Sequence, residues 1–189
     1  MFQEYSEIEI QKSGWIEIIT GSMFSGKTEE LIRRIQISEI SEPNVKVFKP
    51  KVDNRYAEDE IVTHSKVSIK CVSVESSSEL FRMARNSKIV GIDEAQFFDE
   101  GIIKVCNDLA NMGIRVIVAG LDMDFLGNPF GPMPNLMAVA EFVTKVHAKC
   151  SKTGELANFS HRLNPHGKTI QVGREAAYEA VSRFICTDM

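Results

Sequence analysis

Eight consecutive residues carry the clearest chemistry in this chain. "GSMFSGKT", Gly21 to Thr28, fits G-x-x-x-x-G-K-[ST] in full. It follows the β-rich run "WIEIIT" (15–20) and precedes a run of helical periodicity, the context that a phosphate-cradling loop requires. Gly21 and Gly26 let the backbone wrap closely around phosphate oxygens. Ser22, Met23, Phe24 and Ser25 lie between them and contribute N–H groups, and the helix N-terminus adds fixed positive potential. Lys27 is placed to reach β- and γ-phosphates, and the Thr28 hydroxyl to ligate Mg²⁺.

A second constellation is the acid pair Asp93–Glu94, at the end of the apolar run "IVGI". Ligands of open α/β sheets bind at the C-terminal ends of strands. A strand-end Asp there acts on the magnesium side of the site, through water. Glu94 beside it can take a proton from an attacking oxygen. That oxygen belongs to water in an ATPase and to a substrate hydroxyl in a kinase, and the pattern alone leaves both open. A third stretch, "HAKCSKTGELANF" (147–159), has the outline of a metal-binding turn, with His147 and Cys150 two residues apart, but only one cysteine. Cys186 stands alone in "YEAVSRFIC" near the end.

These residues need a scaffold, and the patterning predicts one. Strands are expected at 15–20, 45–50 ("VKVFKP"), 67–74 ("VSIKCVSV"), 88–95 ("KIVGIDEA"), 114–122 ("IRVIVAGLD") and 144–149 ("TKVHAK"). Helices are expected at 27–40, with Leu31, Ile32, Ile35 and Ile40 at near-helical spacing, and at 77–86 with a serine cap, 101–113 and 135–142. Near-continuous apolar strands alternating with helices predict a mostly parallel α/β sheet. A Gly/Pro-rich loop, 123–134, lies before the last helix. After about residue 150 the pattern turns short and polar, with "ANFSHRL" and "KTIQVG" as strands of a hairpin through "NPH". The organisation read from this is a loose arm at 1–13, an ATP-binding α/β domain at 14–149 and a small lobe at 150–189.

Bulk composition narrows the partners. Lys+Arg 22 against Asp+Glu 26 leaves a net charge of −4, so no basic footprint for nucleic acid exists. No apolar run approaches the roughly 18 residues needed to span a membrane. The first residues have neither a basic nor an apolar signal region. The four scattered cysteines read as reduced thiols, and a cytoplasmic location is expected.

Taken together, "GSMFSGKTEEL", "VFKPKVDNRY", "VTHS", "IDEAQFF", "AGLDMDFLGNPFG", the "HAKC…TG…ANF…R" turn and "VGREAAYE" resemble type II thymidine kinases, in the same order and over about residues 14–185. The resemblance implies a P-loop-type sheet and transfer of the γ-phosphate of ATP, with Mg²⁺, to the 5′-hydroxyl of thymidine, with deoxyuridine also accepted. It implies Glu94 as general base, Asp93, Ala95 and Gln96 lining the nucleotide side, and Asp53 and Arg55 near the phosphates. Phe125 would pack against the nucleoside and Tyr178 would close the base pocket. Thr169, Ile170, Gln171, Val172 and Gly173 would hold the thymine through backbone groups, which complement its C=O, N–H, C=O edge. Met23 and Ser160 would lie near the 5-methyl group. Feedback by thymidine triphosphate and a homotetramer are further implications.

The same resemblance sharpens the odd turn. In the family, four Cys or His positions there hold a structural zinc. Here they fall on Cys150, Thr153, Ser182 and Ile185, of which only Cys150 is a good ligand. A shifted set from His147, His161, His166 and Cys186 is the alternative. The expectation is a lobe without structural zinc, joined at those positions by hydrogen bonds or packing.

Overall fold

The computed structural model describes residues 14–51, 60–62, 68–163 and 177–187. The first eight strands are β1 (Trp15–Thr20), β2 (Val45–Pro50), β3 (Glu60–Val62), β4 (Ser68–Lys70), β5 (Val72–Val74), β6 (Ile89–Ile92), β7 (Arg115–Gly120) and β8 (Phe142–Lys145). Six form one sheet in the order β5-β2-β6-β7-β1-β8, with every pairing parallel. The predicted fold class is therefore the one found. All six strands deliver their C-terminal ends to one edge, so the loops after β1, β6, β7 and β8 meet there.

Helices cover both faces. Alternation along the central strands sends Ile19, Val47, Ile89, Ile117 and Ala119 to one side, against Leu31, Ile32 and Ile35 of α1 (Lys27–Glu39). The other side receives Ile16, Ile18, Phe48, Val90, Ile92, Val116 and Val118. It is packed by α2 (Ser77–Ala84), α3 (Gly101–Asn111) and α4 (Met133–Val139). Each fully buried Ile or Leu contributes about 1.5–3 kcal/mol of transfer free energy. Gly91 in β6 brings α1 close, since a Cβ there would sit 2.6 Å from Ile35 Cδ1.

Several boundaries differ from the expectation. Ile40 leaves the α1 face: it is the C-cap and 87% exposed, because five residues beyond Ile35 is about 140° around the helix. Ser38 takes the buried place, with its hydroxyl donating to Arg34 C=O and accepting from Arg115 Nη1. The expected strand 67–74 is two strands in two sheets. β4 pairs antiparallel with β3, whereas β5 joins β2 in the central sheet. The apolar alternation shifts phase at Cys71–Val72, so Ile69 and Cys71 join the α1 side while Val72 and Val74 join the other. The expected helix 135–142 starts and ends earlier, and residues 142–145 form β8. The expected strand 144–149 divides between β8 and β9 (Ala148–Lys149). α2 carries its expected cap, with Ser76 Oγ accepting from the Glu79 N–H at 3.2 Å.

The remaining chain builds a small lobe. β9 pairs antiparallel with β10 (Leu156–Ala157), and β11 (Phe159–Arg162) with β12 (Tyr178–Val181). β12 is thus a partner of the "ANFSHRL" strand, while "KTIQVG" lies outside the described residues. A short helix, α5 (Arg183–Thr187), follows. Ala148, Cys150, Ala157, Ala180 and Val181 form its own apolar cluster, packed by Phe159, Ile185 and Cys186.

Candidate active site

The loop after β1 is held open by backbone geometry. Gly21 has φ 147°, and a Cβ there would lie 2.1 Å from Val146 C=O, so no other residue fits without moving β8's exit. Gly26 caps α1 in the left-handed region at φ 82°. Between them Phe24 also takes a left-handed φ of 63°. The Ser25 hydroxyl donates to Ser22 C=O at 2.8 Å, and Lys27 Nζ folds over the loop onto the same carbonyl at 2.7 Å. A cation parked across the loop, beside backbone N–H groups at a helix start, suits a polyphosphate. The Thr28 hydroxyl points to β6's end, donating to Asp93 Oδ2 at 3.2 Å. A hydroxyl and a carboxylate in contact at the phosphate loop are a hard oxygen pair fit for Mg²⁺.

After β6 the chain turns sharply. Asp93 is buried, its N–H donating to Phe48 C=O at 2.9 Å and its Oδ1 accepting the Glu94 N–H at 3.0 Å. Glu94 adopts φ 52°, ψ 41°, a left-handed backbone that costs a non-glycine residue about 1 kcal/mol or more. A 3₁₀ turn, Ala95–Phe97, follows with Ala95 and Gln96 buried. Gln96 Nε2 donates to Glu94 Oε2 at 2.5 Å, and Gln96 Oε1 accepts the Leu121 N–H at 2.9 Å. The acid pair and the phosphate loop therefore share one sheet edge.

The small lobe docks on this edge. The Met23 N–H donates to Ser160 Oγ at 2.9 Å, and Ser22 Oγ to Ala157 C=O at 3.4 Å. Across β11 and β12, Ser160 pairs with Ala180 and Arg162 with Tyr178. The Arg162 guanidinium lies 5.3 Å over the Phe125 ring. Phe125 and Tyr178 thus approach one corner through Arg162. Asp53, Arg55, Thr169 to Gly173 and His166 lie outside the described residues.

The odd turn becomes a tight knuckle. Cys150 N–H donates to Glu155 C=O at 2.7 Å, Gly154 N–H to Cys150 C=O at 2.9 Å, and Gly154 takes φ 75°. The Cys150 thiol is drawn down to about 6, first by a hydrogen bond from the Thr153 hydroxyl, against burial, and then by the N–H groups of Ser182, Thr153 and Lys152. The four family metal positions do converge, but not as a ligand set. Thr153 and Ser182 adjoin the thiol, but the Thr153 hydroxyl also lies 3.4 Å from Glu155 Oε2, Ser182 Oγ is buried with no hydrogen-bond partner among the described residues, and Ile185 packs on the apolar cluster. His147 Nδ1 instead meets Asn158 Oδ1, and His161 lies on β11. Cys150, Thr153, Ser182 and Ile185 by themselves do not make a tetrahedral zinc set.

Several contacts escaped the sequence reading: Gln96 to Leu121, Ser22 to Ala157, Arg162 to Phe125, and the ion pair of Lys145 with buried Asp122 at 2.7 Å. The sequence marks Gln96, Ser22 and Phe125 as site residues and Arg162 as the end of the "HAKC…TG…ANF…R" pattern, but it pairs none of them with its partner.

Comparison with known proteins gives a consistent relation. The family model described as thymidine kinase matches residues 14–186. A thymidine kinase of Bacteroides thetaiotaomicron is 52% identical over 183 residues, covering 97% of this chain and 92% of that protein. One from Bacteroides fragilis is 51% identical over the same shares. One from Rhodothermus sp. is 50% identical over 166 residues, 88% of this chain and 78% of its own.

Proposed function

The chain belongs to the thymidine kinase family, and on that premise we propose a mechanism in which Glu94 deprotonates the 5′-hydroxyl of thymidine for attack on the γ-phosphorus of ATP. The observation that carries it is the contact of Thr28 with Asp93, 3.2 Å apart, which brings the phosphate loop and the residue preceding Glu94 together. ATP phosphates lie in the Gly21–Thr28 loop, where Lys27 turns from Ser22 C=O to the β- and γ-oxygens. Thr28 and Asp93 are the residues that would hold Mg²⁺, which would supply positive charge against the transferred group. Ala95 and Gln96 shape the nucleotide side, and Asp53 and Arg55 act near the phosphates. Catalysis here is chiefly positioning and electrostatics.

On the nucleoside side, Phe125 packs against the substrate, Tyr178 closes the base pocket, and Thr169 to Gly173 hold the thymine through backbone groups. Met23 and Ser160 border the 5-methyl group. Deoxyuridine, which shares the same polar edge, is a second substrate, and thymidine triphosphate a feedback inhibitor. The protein is a cytoplasmic homotetramer in this reading. No helix among the described residues is long and apolar enough to cross a membrane.

The test is formation of thymidine monophosphate from ATP and thymidine by the native chain and by Glu94→Gln. The variant should bind both substrates normally and lose about 10²–10⁴-fold in kcat, the range for a general base. Near-normal turnover would remove Glu94 from the role. Phosphate release from ATP alone, as fast as with thymidine, would mark an ATPase.

A further inference from the structure

We propose that Gln96 is a positioning residue for Glu94: its side-chain amide clamps the carboxylate to the end of β7 and holds it as a hydrogen-bond acceptor. The inference rests on Glu94 being the base. Three observations carry it. First, the amide bridges two elements: Nε2 donates to Glu94 Oε2 at 2.5 Å, and Oε1 accepts the Leu121 N–H at 2.9 Å, just beyond β7. Second, the amide orientation is forced. A backbone N–H can only donate, so Oε1 must face Leu121 and Nε2 must face Glu94. Glu94 Oε2 is therefore the acceptor of this bond, and the amide fixes where the carboxyl group points.

Third, the space for Gln96 is built by absent side chains. A Cβ on Gly120 would lie 2.9 Å from Gln96 Oε1, and one on Gly131 would lie 2.4 Å from Gln96 C=O. Gln96 is only 3% exposed. Glu94 itself stands on a left-handed backbone, where side-chain direction depends on what grips the carboxylate. The clamp ties the turn after β6 to the edge of β7, the two central strands. Asp93 is the adjacent charge, its Oδ1 taken by the Glu94 N–H.

Two near-isosteric variants test this, with kcat, substrate dissociation constants and melting temperature measured for each. Gln96→Glu keeps an acceptor for the Leu121 N–H but loses the donor to Glu94 while ionised. Its kcat at pH 8 should fall about 10–100-fold, the scale of mispositioning a general base, beyond any change in the ATP dissociation constant. The ratio of its kcat to that of the native enzyme should climb as pH is lowered towards 6, because a protonated Glu at 96 donates again. Gln96→Met, with no donor at any pH, should show a similar loss and a flat ratio. A purely structural Gln96 predicts normal kcat in Gln96→Glu and no pH trend in the ratio, and that outcome overturns the proposal. If Glu94→Gln is inactive while both Gln96 variants turn over normally, only the clamp falls. If Glu94→Gln is active, the base assignment itself falls.

Discussion

Tyr178 faces Arg162 across the β11–β12 pair, and Arg162 lies 5.3 Å over Phe125. An aromatic lost from such a corner removes both contact area and ring packing. Tyr178→Ala should raise the KM for thymidine by about 10–100-fold and leave that for ATP within about twofold. Equal rises in both constants would take Tyr178 out of the base pocket. At this scale legibility depended on range. The phosphate loop and the Asp93–Glu94 pair are consecutive residues between clear elements, so motif and context could be read directly. The Gln96 clamp, the Met23–Ser160 bond and the Arg162–Phe125 contact join residues 25 to 137 positions apart. No local pattern encodes such contacts, since each depends on which strand ends the sheet order brings together.

Among elements, β1 carries a buried acid, Glu17, within its apolar run. Glu17 is 6% exposed, and it accepts from Arg34 of α1, Arg115 of β7 and the Trp15 indole at 2.6–2.9 Å. Arg34 also reaches Glu30 and Thr144, so one carboxylate organises α1, β1, β7 and β8. Burial pushes the Glu17 carboxyl up, but the hydrogen bonds from Arg115, Trp15 and Arg34 prevail and hold it below the usual range. A carboxyl with a depressed folded-state pKa stabilises fully above its unfolded value and loses that contribution as pH falls through the folded one. Glu17→Gln strands two guanidinium groups and should cost about 2–4 kcal/mol at pH 7. Denaturant titration should show the deficit shrinking below about pH 4, as the native carboxyl itself protonates. A pH-independent deficit would mean that packing, not charge, is what was lost. The sheet was legible because its strands are apolar runs of the right length. The division at Cys71 was also present, as a one-residue slip in alternation, but a run of eight β-prone residues masked it.

For the molecule as a whole, the decisive question is what anchors the small lobe to the sheet edge. The lobe touches the phosphate loop through Ala157 and Ser160 and the β7–α4 loop through Phe159 and Arg162. Loosening it therefore disturbs both the phosphate loop and the β7–α4 loop. A family zinc would supply that rigidity, yet the positions beside Cys150 are here Thr153 and Ser182, and Ile185 is part of the apolar cluster. One thiol beside two hydroxyl side chains and an isoleucine offers zinc a single good ligand, whereas a tetrahedral site needs three more electron-pair donors of that quality. The native protein should accordingly contain well under one zinc per chain by elemental analysis, and a strong chelator should leave its melting temperature unchanged. The combined substitution Thr153→Cys, Ser182→Cys and Ile185→Cys is the positive control. It restores four thiols where the knuckle already converges, and should make both zinc content and melting temperature chelator-sensitive. Stoichiometric zinc in the native chain, lost together with stability on chelation, would show that a ligand set other than these four positions closes the lobe.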